Sequence, residues 1–319
     1  MGIRPDHRPR RWLRPLPPLR SLPPLHLRRR AATLMAAALT MATTTLAACS
    51  AAPATSVSPS TSGTAGVADL LGPDHPAWLL SRSVLAQLVT DPVAVSELSG
   101  KLVYELIQPG QPPLPGVVAE PVVTFASATA LESAVDAGQL PPGTFGVLYD
   151  PEAWAFTPVA EQQNPVQAAT AAAAVAHAHG IRLIVAPALD LTTVLAQGGM
   201  GPDWRQFLDL NLVGRLAKVA DVVELQAQSL EQDTSVYTAF VQAAAAQASA
   251  ARPGIGLLAG LSTNPPGAPI EARQLTSAIQ ATRSLVDGYW LNVPAPGARC
   301  PACNAPRLDI AVQVLQVQP

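Results

Sequence analysis

Two carboxylates, Asp150 and Glu152, flank Pro151 where an apolar run gives way to polar sequence in "FGVLYDPEAWAFTP", residues 145–158. Neighbouring carboxylates repel, so one of such a pair is pushed toward keeping its proton near neutral pH, as a general acid must. Trp154 and Phe156 follow at once and offer apolar faces of the kind on which sugar rings stack. A plainer reading has Asp150 order the loop before Asn164 and Glu152 stand in solvent. Company favours the chemical reading. Later apolar runs end in Asp190, in Gln226 and Gln228, in Ser262-Thr263-Asn264, and in Trp290 with Asn292. Carboxylate, amide and indole are the groups that bind a polar, hydroxyl-rich ligand.

These residues converge only if the chain brings the ends of its apolar runs together. From about residue 121 the sequence alternates short apolar runs with helical patterns. The runs are "VVTFA" at 122, "FGVLY" at 145, "IRLIVAP" at 181, "VVELQAQ" at 222, "IGLLAGL" at 255 and "YWLNV" at 289. Continuous apolar runs suit parallel strands buried on both faces. Asn164-Pro165 predicts a cap and a first-turn proline for a helix that stops at Gly180. "PDWRQFLDLNLVGRLAKVA" predicts one helix with Trp204, Phe207, Leu208, Leu212 and Leu216 on a single face. Six βα units favour an α/β fold of the (β/α)8 TIM-barrel type over an open sheet, whose glycine-rich dinucleotide turn is absent. Residues 67–116 must supply two more strands. "KLVYELIQ" is one candidate and the other is undefined, so the first third of the barrel could be irregular or incomplete.

In a parallel barrel every strand runs toward the same rim, so Asp150, Glu152, Asp190, Gln226, Gln228, Asn264, Trp290 and Asn292 are all expected there. Pro151 has no N–H for a central ladder, which places strand pairing's end near it and the two carboxylates at the mouth. Counting back from "YWLNV" as strand eight makes "LYDPE" strand four and "VVELQAQ" strand six. Asp-x-Glu after strand four, a polar side chain on strand six and Trp on strand eight resembles the layout of the family 18 chitinases and related glycosidases. The resemblance implies that Glu152 protonates the glycosidic oxygen. It also implies that Asp150 orients the 2-acetamido group that attacks the anomeric carbon. Phe145 and Leu148 depart from the pattern, standing where further acids would be expected, and Gln226 or Gln228 takes the place of a tyrosine.

The chain's beginning speaks to destination. Nine arginines in residues 1–30 lead into an uncharged stretch over 31–48 ending "TLAA", followed by Cys49. This reads as the basic, apolar and small-residue parts of an export signal over residues 1–48. Leu46-Ala47-Ala48-Cys49 resembles the lipobox of bacterial lipoproteins, which implies cleavage before Cys49 and its acylation. Residues 49–66 then form a lipidated cysteine and a Pro/Ser/Thr/Ala-rich tether, and residues 67–319 the barrel domain. Loss of nine Arg and Asp6 turns the 20 basic and 22 acidic residues into 11 and 21, a mature chain near minus ten. That balance argues against nucleic acid as a partner. In an oxidising compartment Cys300 and Cys303 of "RCPACN" are expected to close a local disulfide.

Other chemistries are poorly supported. The mature chain holds only Lys101 and Lys218, neither at a strand end, which disfavours Schiff-base catalysis. His177 and His179 diverge at i, i+2 on a helix and read as surface residues rather than ligands. No metal site, cofactor or phosphate-cradling loop is expected. The sequence therefore points to an exported barrel, lipid-anchored to the outer face of the cytoplasmic membrane, that acts on cell-envelope or extracellular polysaccharide. The alternatives are a non-catalytic carbohydrate-binding lipoprotein, with a polysaccharide or other small polar ligand, or a structural envelope protein with a vestigial site.

Overall fold

The computed structural model describes residues 76–196, 203–265, 269–297 and 303–317. The export signal over 1–48, Cys49, the whole of the expected tether and Cys300 lie outside them, and Cys303 lies within. Eight parallel strands close into one barrel in sequence order. They are β1 (Ala77–Ser81), β2 (Val103–Ile107), β3 (Glu120–Phe125), β4 (Gly146–Tyr149), β5 (Arg182–Val185), β6 (Val222–Leu225), β7 (Gly256–Ser262) and β8 (Gly288–Asn292). All six strands expected from residue 121 onward are present, and "KLVYELIQ" supplies β2. The undefined strand is "AWLLS", β1, which runs without a loop into the helix Arg82–Leu88. The joint is made by Ser81, whose hydroxyl accepts from the Val84 N–H at 3.4 Å. Because no turn residue separates strand from helix, the stretch 77–89 reads as one apolar pattern in sequence.

Side chains alternate across each strand. Leu79, Leu106, Val122, Leu148, Ile184 and Leu258 point into the barrel and pack on one another. Leu80, Ile107, Val123, Val147, Val185 and Leu225 point outward into a second cluster shared with the helices. The lower end of the barrel is filled by Tyr104 and Phe145, ring centroids 5.3 Å apart, with the Arg182 guanidinium 5.1 Å from the Phe145 centroid. Burial pushes the Tyr104 hydroxyl up to about 12, so it stays neutral there.

Two helix expectations are corrected. The stretch after Asp203 forms two helices, Trp204–Asp209 and Leu212–Ala217, broken at Asn211. Asn211 adopts φ 47°, a left-handed conformation that asparagine tolerates and a helix does not. Its side chain occupies the space above Gly214 that a Cβ there would need. Asn164 precedes the helix Pro165–Ala178 as expected, but makes no side-chain cap. Its amide instead donates back to the Ala160 carbonyl at 3.3 Å.

Closure joins β8 to β1, pairing Ala77 with Gly288, Trp78 with Tyr289 and Leu79 with Trp290. A Cβ on Gly288 would run into the Ala77 backbone, which cannot swing aside as a side chain could. Gly288→Ala is therefore expected to cost about 1–3 kcal/mol, read as a lowered midpoint in urea or heat denaturation. A comparably placed methyl at Gly143, which has open space but φ 80°, tests strain without collision and is the natural control.

Candidate functional site at the C-terminal rim

β4 stops at Tyr149, one residue before the Asp150-Pro151 bond. The Asp150 N–H makes the last ladder bond, to Phe125 O at 2.8 Å, and the Pro151 carbonyl instead accepts from Ala188 N–H at 3.1 Å. Strand alternation thus governs Asp150 and ends before Glu152. Asp150 is buried at 5 % exposure. Glu152 is half-buried and its position is set by the loop.

That loop is laced around Thr157, a residue that no sequence pattern singles out. The Thr157 hydroxyl donates to Ala126 O at 2.9 Å and accepts from the Glu152 N–H at 3.2 Å and the Trp154 indole N–H at 3.0 Å. The Gln162 amide donates to the Trp154 and Thr157 carbonyls, both at 2.7 Å. Trp154 meets Phe156 edge to face with centroids 4.9 Å apart, and Phe156 is half exposed. Beneath the loop Glu161 accepts from Ser127 Oγ, the Ala128 N–H, the Thr129 hydroxyl and the Tyr149 hydroxyl at 2.8 to 3.1 Å. Burial alone would raise its pKa. Those hydrogen bonds outweigh burial and hold it below the usual carboxylate range.

Across the mouth, β6 answers β4. The Gln226 amide donates to Asp150 Oδ1 at 2.5 Å and to Ala186 O at 2.8 Å, tying the ends of β4, β5 and β6 together. Gln228 lies over Gly260 of β7, where an added Cβ would collide with its amide. Gly260 is level with Trp290 of β8, which is half-buried and belongs to the interior cluster. Asn292 accepts from the Thr263 N–H at 3.0 Å, and the Asn264 N–H donates to Ser262 Oγ at 3.2 Å. Asn264 and Asn292 are half-buried at the ends of β7 and β8. Asp190, in the turn after β5, braces the β4 loop: its Oδ1 accepts from the Ala153 N–H at 2.9 Å. Burial raises its pKa against that bond. The structure thus brings Asp150 and Gln226 into contact, sets Gln228 on the strand next to Trp290, and ties Asp190 to the β4 loop that carries Glu152 and Trp154.

Two carboxyls at or below this rim were missed in the sequence. Glu224 lies on β6, two residues before Gln226 and two after inward-facing Val222, and is fully buried. The alternation that sends Gln226 inward sends Glu224 inward too, so "VVELQAQ" did carry its signal. Glu231, also fully buried, follows in the β6–β7 connection and accepts the Ser262 N–H at 2.9 Å. Burial pushes Glu231 up to about 8, against hydrogen bonds from its own N–H and those of Ser262 and Leu230. Among the described residues, no group of three or more His, Cys, Asp and Glu side chains is placed to hold a metal ion. His177 is exposed and bonded to Asp221 at 2.8 Å, away from the rim.

No family model matches the chain, and no curated protein does. Among solved structures, a chitinase from Chromobacterium violaceum superposes with a TM-score of 0.44 at 12% identity, covering 76% of this chain and 98% of that one. The PgaB (BpsB) glycoside hydrolase domain from Bordetella bronchiseptica gives 0.45 at 12% identity, over 76% and 98%. Triosephosphate isomerase from Bartonella henselae gives 0.31 at 12% identity, over 68% and 92%. The likeness is one of barrel architecture and brings no residue of the rim with it.

Glu231 makes a prediction in pH. Its folded pKa, about 8, lies above the unfolded value of roughly 4.3. The favourable contribution of the protonated form is complete below roughly pH 4.3 and is lost as pH rises through about 8. Glu231→Gln keeps an acceptor for Ser262 and removes the titration. Between pH 5 and 8 the variant's unfolding free energy should fall less steeply than that of the wild type, by about 1.4 kcal/mol per pH unit. Parallel slopes in denaturant titrations at several pH values would contradict the assignment.

Proposed function

We propose that this chain is an exported, lipid-anchored barrel of glycoside-hydrolase type acting on cell-envelope or extracellular polysaccharide, with Glu152 as general acid and Asp150 as the carboxylate that orients the substrate. The observation that carries the reading is the Gln226 amide, just past β6, clasping Asp150, just past β4, at 2.5 Å over the end of β5. An amide donor leaves Asp150 free to stay charged while fixing where its oxygens point. Glu152 stands outward of it, half-buried, on the loop that also carries the Trp154–Phe156 edge. A sugar chain lying over the rim would meet indole faces at Trp154 and Trp290 and amides at Gln228, Asn264 and Asn292. A second reading, a carbohydrate-binding protein without catalysis, draws on the burial of Asp150, which leaves little of its carboxylate for a ligand to touch.

Two substitutions separate these readings once a glycan panel has identified a ligand. Glu152→Gln preserves shape and removes the transferable proton, so in the enzyme turnover should fall by a factor of about 100 or more while binding survives. Trp290→Ala should weaken binding by about 1 kcal/mol or more in either case. Hydrolysis that survives Glu152→Gln would sink the acid assignment and turn attention to Asp190.

Anchoring and the disulfide belong to the same reading of an oxidising, membrane-facing setting. Cleavage before Cys49 would leave it acylated, and the acidic mature domain, near minus ten, would be held to the membrane by the acyl group rather than by charge. Cys300 and Cys303 close a short local loop, so their bond would add little stability. Mass spectrometry of the mature protein from its native host reads both at once. Expected are a lipid-modified Cys49 at the N-terminus, and cysteines 300 and 303 that resist alkylation until reduced. An unmodified Cys49 or two freely labelled thiols would overturn the respective claim.

A further inference from the structure

Glu224 is the least explained group in the barrel. It is 0 % exposed, and neither of its carboxyl oxygens has a hydrogen-bond partner. A buried carboxylate in that state would be costly, whereas a neutral acid is far less so. The strand register shows what it faces. Tyr149 pairs with Val185 and Val185 with Val223, so Asp150, Ala186 and Glu224 are successive positions across β4, β5 and β6. Gln226, one inward position above Glu224, spans the same interval from the other side, donating to both Asp150 and Ala186. Asp150 and Glu224 therefore lie level with one another on either side of Ala186, and the Gln226 amide, one inward position higher, bonds Asp150 and Ala186 but not Glu224.

We propose that Asp150 and Glu224 form a single carboxyl pair across the barrel that carries one negative charge, with Asp150 ionised and Glu224 holding the proton. The charged groups around Glu224 are consistent with this. Asp150 of β4 acts on it directly, and its own charge would be felt by Tyr237 of the helix Thr234–Ala251. Neither is a cation, and the Tyr237 hydroxyl is engaged by the Gly260 carbonyl at 3.2 Å. Burial first, and the Asp150 charge second, raise Glu224 well above the ordinary glutamate range. The interaction is mutual, so removing the Asp150 charge must make Glu224 more acidic. Glu224 is then a positioning residue: it touches no ligand, and by staying neutral it lets Asp150 be the charged acceptor that Gln226 aims at the rim. The inference rests on the proposed site for its functional meaning and on strand geometry for the pair itself.

The test is a titration of the full-length chain in detergent micelles with 13C at the glutamate side-chain carboxyl. Two glutamates are expected to titrate above the rest, Glu231 and Glu224, and Glu224→Gln assigns the second by deleting its resonance. In Asp150→Asn the Glu224 midpoint should fall by about one pH unit or more, while the Glu231 midpoint stays in place as an internal reference. A Glu224 resonance that titrates with the exposed glutamates, or one that ignores Asp150→Asn, would overturn the pair. If Glu224→Gln does not fold, the Asp150→Asn comparison on the native Glu224 decides alone. Turnover distinguishes this from the hydrolase reading. With a substrate in hand, Glu224→Gln should shift the pH profile of kcat/KM, which a purely structural role would leave unmoved. A coupled pair in a protein that cleaves no glycoside keeps the pair and removes the hydrolase. Hydrolysis with an uncoupled Glu224 does the reverse.

Discussion

Closure of the sheet between β8 and β1 is the constraint on which the rest of the molecule depends. It is met by Gly288, because the two backbones approach too closely for any side chain. Once the ring is shut, every strand must run toward one end, and residues far apart in sequence become neighbours there. Asp150 and Gln226, 76 positions apart, share a hydrogen bond only because β4 and β6 end at the same height on either side of β5.

The barrel treats its buried carboxylates in two opposite ways. Glu105 and Glu161 are buried but fully engaged. Glu105 accepts from the Arg82 guanidinium and the Leu114 N–H at 3.0 Å, and Glu161 from four groups on two segments. Both fasten segments to one another, Glu105 the helix after β1 to the β2–β3 connection and Glu161 the β4–β5 connection to Ser127 and Ala128 after β3. Glu224 and Glu231 are buried and under-engaged, with three unpartnered oxygens between them. Burial that outweighs the available donors favours the neutral acid, as at Glu224 and Glu231, whereas the donors around Glu161 hold its carboxyl below the usual range. The balance of hydrogen-bond supply against burial sorts them.

Much of this was legible in the sequence, for identifiable reasons. Strands buried on both faces read as unbroken apolar runs, so "VVTFA" through "YWLNV" announced themselves, and with them the rim positions of Asp150, Gln226 and Trp290. β1 was hidden because Ser81 is at once the end of a strand and the cap of a helix, leaving no loop to mark the change. Asn211 was hidden because a left-handed residue inside a helical pattern changes no hydropathy. Glu224 was overlooked for a different reason. A single acid inside an apolar strand looks like a break in the run, although the period of two places it beside Gln226. Thr157 and Gln162 had no sequence signal at all, since their importance comes from backbone groups that the loop itself brings to them.

The stacked Tyr104, Phe145 and Arg182 that fill the lower barrel have a consequence for traffic. Rings and guanidinium pack that end, and Leu79, Leu106, Leu148, Ile184 and Leu258 pack in the interior with them, so the barrel core is filled by side chains. With its axis filled by side chains, the barrel offers a surface at the rim rather than a conduit through the middle.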